Sequence, residues 1–180
     1  MKITLAGEEH AGEIASLRTS VAEDLTARYG KGHWSSPVTE ATVLRGIATS
    51  RVLLARMGDA IVGTLRLATK KPWAIDLRYF TTVGRPLYLV DMAVAPACQR
   101  QGIGRRLLAA AATAAQACHA DAIRLDAYDH AAGAGGFYVR CGYRQTGRVV
   151  YGGVPLIYFE LVFKSSAVRA TSRRASGEVA

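Results

Sequence analysis

Between Leu87 and Tyr128 an almost unbroken apolar strand, LYLVDMAV, passes through the turn APACQRQ into an alanine-rich helix and then into a second apolar strand, AIRLDAY. A strand–helix–strand unit closes with its two strands parallel and its crossover right-handed, because a right-twisted strand followed by a right-handed helix packs back onto the sheet only that way. Strands this uniformly apolar are buried, so helices must flank the sheet they belong to. The other strands come as hairpins. RVLLARMGDAIVGTLRLAT joins two apolar runs at MGD, and RQTGRVVYGGVPLIYFELVF turns at Gly152 and Gly153, so each contributes an antiparallel pair. The sheet is therefore mixed and mostly antiparallel.

The helices follow from period and punctuation. Ile14, Leu17, Val21 and Leu25 recur at helical spacing until RYGKGHWSSP interrupts them, Thr39 stands as N-cap of a short second helix, and Gly142 closes a short helix within GFYVRCG. KITLA opens the chain as a strand, and KKPWAIDLRYFTTVGRP is irregular between Pro72 and Pro86. The expected order is βααβββαβαββ, an α/β (α+β) class. At 180 residues, 50% of them hydrophobic, the chain is long and apolar enough for one core without metals or disulfides. Residues 1–163 form that domain, and Lys164 to Ala180, rich in Ser, Ala and Arg without apolar period, is expected to be a flexible basic tail.

Several function classes fall away on composition. Cys98, Cys118 and Cys141 offer no C-x-x-C pair, so neither a disulfide framework nor a zinc site is indicated, and a reducing, cytoplasmic setting fits best. Glu8 and Glu9 interrupt the stretch where a signal peptide needs an apolar run, and no segment approaches the roughly 18 apolar residues of a membrane span. The net charge of +9, from 23 Lys and Arg against 14 Asp and Glu, favours an anionic partner of some kind. A nucleic-acid surface needs clustered cations with stacking aromatics, and only KKPW hints at one. That reading is the weakest.

The turn QRQGIGRRLL suits a small anion better. A helix starting near Gly102 leaves its first N–H groups without intrahelical partners, with the positive end of its dipole behind them. Glycine at 102 and 104 clears the mouth, and Arg100, Arg105 and Arg106 surround it. The alternative is a helix start at which glycine only eases the turn. A P-loop is excluded because Gly104 is followed by Arg105 and Arg106 rather than Lys and Ser or Thr. A dinucleotide fingerprint needs a third glycine where Leu107 stands and glycines directly after the strand, although Asp126 does end IRLD at a suitable distance.

What remains, a strand, Pro96 and then Q-x-x-G-x-G opening a helix, resembles the acyl-CoA-binding motif of the GNAT superfamily of N-acyltransferases. GGFYVRCGYRQTG resembles that family's second motif, an aromatic pair ending in a glycine-aromatic turn, and the element order agrees along residues 1 to about 163. The resemblance implies a central parallel strand pair that splays apart and acetyl-CoA as cosubstrate, with no metal. It places Gln99 at the start of the loop, the backbone of Gln101, Gly102, Ile103, Gly104 and Arg105 around the CoA diphosphate with Arg100 beside it, and Met92, Ala93 and Val94 along the pantetheine arm. Pantetheine has two amides and can pair with an open strand edge as an extended peptide does. Where the family often carries an asparagine after the fifth strand, this chain has Asp129 or His130.

The same resemblance assigns Tyr138 to the departing sulfur. Because phenol titrates near 10 and a thiol near 8.5, roughly, a hydrogen bond to developing thiolate charge is a better role than outright proton transfer; the alternative is a core aromatic. Asp91, the acid within the fourth strand, is the candidate general base, and equally a candidate structural carboxylate satisfying the splayed strand; Glu160 and Asp129 are weaker bases. Tyr29, His33, Trp34, Tyr151 and Tyr158 are candidate acceptor-pocket residues, and Cys98 is expected to be inert packing. The expected activity is direct acetyl transfer to a primary amine, on a small molecule or a peptide. A non-catalytic acyl-CoA sensor is the alternative. A homodimer is compatible with the sequence but not specified by it.

Overall fold

The computed structural model describes residues 1–163; the tail expected from Lys164 onward lies outside the described residues. Seven strands, β1 (Lys2–Leu5), β2 (Arg51–Met57), β3 (Ala60–Ala68), β4 (Pro86–Val94), β5 (Ala122–Tyr128), β6 (Arg144–Tyr151) and β7 (Val154–Val162), form one sheet in the order β1-β2-β3-β4-β5-β7-β6. Only β4 and β5 run parallel; every other neighbouring pair is antiparallel, which is the mixed sheet expected from the strand–helix–strand unit and the hairpins. Four helices, α1 (Ala11–Tyr29), α2 (Glu40–Thr49), α3 (Ile103–Ala117) and α4 (Gly135–Arg140), cover it. None of them is long and apolar enough to cross a membrane.

Strand alternation divides the core. Val52 and Leu54 of β2 pack with Ala11, Ile14 and Leu17 of α1 and Val43 of α2, whereas Leu53 and Ala55 pack with Ile103, Leu107 and Ala111 of α3. Successive side chains of a strand leave opposite faces, so a strand between two helical layers has to be apolar at every position, as RVLLA nearly is. In α3 the buried set is Ile103, Leu107, Leu108, Ala111 and Ala115, a stripe at helical period. Thr39 caps α2 as the sequence indicates, its side chain accepting from the Thr42 N–H at 3.3 Å.

Two irregularities in β4 create the site. Parallel pairing to β5 lasts for three positions, Pro86–Ala122, Leu87–Ile123 and Tyr88–Arg124, and then stops. On the other edge, β3 advances from Thr64 to Arg66 while β4 spans Ala93 to Val90, so β4 carries an extra residue. Such a bulge bends its strand. Asp91 lies within it with φ of 57°, a left-handed conformation that Asp and Asn tolerate better than most residues.

The segment between β3 and β4, read from sequence as irregular, is held down on the sheet. Ile75 and Phe80 pack against Tyr88 and Tyr158. Beneath them the buried Glu160 carboxylate accepts from Arg124 Nε at 3.1 Å, Arg144 Nη2 at 3.1 Å and the Thr81 N–H at 3.2 Å.

Candidate active site

Where β4 leaves β5, a cleft of about 630 Å³ opens between them, bounded by Leu89 to Ala93 on one strand and Asp126 to Tyr128 on the other. Its size is typical of small-molecule sites. Past Tyr88 the edge of β4 that faces β5 has no strand partner among the described residues, while Ala93 and Val94 stay paired on their other side to Thr64 and Gly63 of β3. The lower part of the α1 stripe, Val21 and Leu25, borders this cleft, with Val21 also packed against the α1–α2 core. Those two apolar positions were legible as a helix face, but what they face was not.

At one end of β4 stands the start of α3. Gly102, with φ of 80°, is its N-cap, and a Cβ there would meet nothing within 4 Å, so the space in front of the turn is clear. The first intrahelical hydrogen bond is donated by the Arg106 N–H to Gly102 O at 3.1 Å, and among the described residues no backbone acceptor is found for the N–H groups of Gln101 to Arg105. Arg100, Arg105 and Arg106 are exposed and make no ion pair among the described residues, and no acid occupies the first turn. Gln99 Nε2 donates to Val94 O at 3.2 Å, tying the turn to the end of β4. These are uncompensated donors at a helix terminus, the arrangement to which an anion is attracted. Gly104 has a packing cause: a Cβ there would lie 2.9 Å from Phe137 Cζ and 3.2 Å from Met92 Cε, so its absence lets α4 and β4 close on α3.

The ring and the hydroxyl of Tyr138 have different surroundings. Its ring packs in the core with Phe137, Tyr143 and Phe159 at centroid distances of 5.3, 5.9 and 5.5 Å. Its hydroxyl reaches the cleft and donates to Met92 Sδ at 3.8 Å. Burial, reinforced by the nearby Asp126 charge, pushes the phenol well above its ordinary range. The group therefore stays protonated and acts as a hydrogen-bond donor.

The acids sort by their partners. Asp91 accepts from Arg18 Nη2 at 2.7 Å on one oxygen and from Arg66 Nε at 2.8 Å on the other. Glu160 is engaged by Arg124 and Arg144 beneath the β3–β4 segment, and Asp129 pairs with Arg148 at 2.6 Å. Asp126, by contrast, lines the cleft with no ion pair among the described residues, and its carboxyl is raised by desolvation. In the sequence it figured only as an acid at a strand end. The available signal was a carboxylate closing an apolar strand whose neighbour splays away.

His33 and Trp34 line the cleft, but Tyr29 does not; its ring meets His130 edge-on at 6.5 Å. Tyr151 and Tyr158 border a different groove with Trp73 and Tyr79, and the Tyr158 hydroxyl donates to Ala74 O. Sequence proximity to the hairpin was not enough to bring these two tyrosines into the cleft. Cys98 packs against the main core, and among the described residues no group of three or more His, Cys, Asp or Glu is placed to hold a metal.

The profile of the Acetyltransferase (GNAT) family matches residues 18–143. Among solved structures, a ribosomal-protein-alanine N-acetyltransferase from Brucella melitensis is 17% identical and superposes with a TM-score of 0.71 over 91% of this chain and 100% of its own. An N-acetyltransferase from Staphylococcus aureus Mu50 is 15% identical, with a TM-score of 0.70 over 91% of this chain and 98% of its own. The yncA protein of Salmonella typhimurium, solved with its cofactor acetyl-CoA, is 17% identical, with a TM-score of 0.66 over 92% and 95%. At these identities the likeness is one of fold. A search of curated proteins found no match.

Proposed function

The chain belongs to the acetyltransferase (GNAT) family, and from that premise we propose that it is an acetyl-CoA-dependent N-acetyltransferase that transfers the acetyl group directly to a primary amine. One observation carries the reading: the edge of β4 left unpaired among the described residues is joined by one short turn to the uncompensated N-terminus of α3, so backbone groups for two amides and for a diphosphate adjoin one another. An ordinary helix start would explain Gly102 but not the open strand beside it.

In this reading Met92, Ala93 and Val94 present main-chain groups to the pantetheine amides, and the N–H groups of Gln101 to Arg105 hold the diphosphate with Arg100 and Arg105 at its rim. When bound, acetyl-CoA supplies the thioester carbonyl attacked by the acceptor nitrogen and the sulfur that departs. The Tyr138 hydroxyl, which keeps its proton, donates a hydrogen bond toward that sulfur as negative charge develops. The acceptor must attack as a neutral amine, and removing a proton from a lysine-like group costs roughly 4 to 5 kcal/mol at pH 7. Asp126 accepts that proton, directly or through water, since its desolvated carboxylate is the better base and no guanidinium occupies it. Asp91 takes the positioning role: with both oxygens bound to arginines it anchors the bulge that opens the cleft.

The test is calorimetric titration of acetyl-CoA into the full chain, followed by thiol release over a panel of primary amines. Saturable binding with amine-dependent thiol release is expected. Absence of binding would overturn the assignment, and tight binding with no thiol released by any amine would favour the sensor.

A further inference from the structure

Part of the cleft is walled by aromatic side chains from the α1–α2 connection and from β5. Trp34, from the segment between α1 and α2, meets Tyr128 of β5 edge-on at 5.5 Å and His130 at 5.6 Å, and His33 stacks over Tyr128 at 6.4 Å and 25°. The charges of the cleft are fewer. Arg18 is the one guanidinium in its lining among the described residues, and it is already paired to Asp91; Asp126 is the one lining carboxylate without an ion pair. A polyamine or an aminosugar with several cations would leave most of them facing apolar or aromatic walls, and an acidic acceptor would bring its carboxylate beside Asp126, which no guanidinium among the described residues neutralises. A single cation attached to a flat apolar body fits both sets of groups, the cation against Asp126 and the ring against the aromatic wall.

We infer that the acceptor is a monocationic arylalkylamine whose ring packs on the Trp34–Tyr128 wall and whose nitrogen is directed at Asp126. This rests on the acetyltransferase reading for the identity of the site, but the pocket makes its own prediction about binding.

Phenethylamine, propylamine, spermidine and glutamate are titrated by calorimetry into the full chain loaded with CoA, and the same four are followed in the thiol-release assay with acetyl-CoA. Phenethylamine is expected to bind at least about tenfold more tightly than each of the others. Trp34→Ala should reduce that preference by roughly 2- to 12-fold, the range for one aromatic pair, and Trp34→Phe should restore most of it, with acetyl-CoA affinity unchanged in both variants. Spermidine or glutamate binding as well as phenethylamine would overturn the inference, as would a preference that survives Trp34→Ala. Should Trp34→Ala fail to fold, the ranking of the four ligands on the unaltered chain decides. Preferential binding of phenethylamine without turnover of any amine would refute catalysis while upholding the pocket.

Discussion

Replacing Asp91 separates three roles that coincide in one residue: charge partner, left-handed backbone position and candidate base. The side chains of Arg18, Arg66 and Asp91 are 19%, 27% and 29% exposed, so both ion pairs are mostly but not fully shielded. A hydrogen bond involving a charged group contributes about 1.5 to 3 kcal/mol when buried; partial exposure, and the weaker bonds an amide can still accept, bring the loss in Asp91→Asn to about 2 kcal/mol. For a chain of this size that is a melting shift of roughly 4 to 8 °C. Asp91→Ala loses those weaker bonds as well and places a residue other than Asp, Asn or Gly at φ of 57°, together worth about 1 to 2 kcal/mol more. Asp91→Gly loses the pairs without that strain and should melt between the two. Scanning calorimetry on the three variants, with acetyl-CoA affinity measured on each, checks the order Asn, Gly, Ala and a parallel weakening of cofactor binding as the bulge relaxes. Coincident melting of the Gly and Ala variants would refute the strain argument. An Asn variant with unchanged melting and affinity but turnover lowered by more than about 100-fold would return the general-base role to Asp91.

Tyr138→Phe should lower kcat by about 10- to 150-fold with acetyl-CoA affinity and melting temperature nearly unchanged, because only the hydroxyl and not the ring is lost; unchanged turnover under chemistry-limited conditions would remove it from the mechanism. For Asp126, whose folded carboxyl is raised by burial, kcat/KM should fall as pH drops through a midpoint above the ordinary carboxylate range, and Asp126→Asn should abolish that limb of the profile. The same raised carboxyl is a stability cost once it ionises, so Asp126→Asn should melt higher than the parent at pH 7, with the gap closing as pH falls through the carboxylate range; a lower melting temperature at pH 7 would contradict the desolvation argument. Gly102→Asp should weaken acetyl-CoA by about 10- to 100-fold, whereas Gly102→Ala, with the same φ of 80° but no charge, should mainly lower the melting temperature; equal affinities in the two by calorimetry would dismiss an anion site there.

Local residue patterns determined the elements and their partners in this protein. Apolar period, the Thr39 cap and the glycine turns act within a few residues, and the crossover rule fixes the sense of the β4–α3–β5 unit whatever surrounds it. The donor-bearing turn at Gly102 was legible for the same reason, since an N-terminal turn of a helix exposes its donors by its own geometry. Tertiary structure alone decided which side chains share the cleft. Asp91 and Asp126 are both acids on apolar strands, yet Arg18 and Arg66, 73 and 25 residues away in sequence from Asp91, occupy one and leave the other open. Likewise Trp34 reaches the cleft and Tyr158 does not, because the first lies on a connection that folds over the splayed strands while the second is covered by Ile75 and Phe80. Electrostatic and packing interactions depend on distance in space, and no local pattern encodes the separation of residues so far apart in the chain.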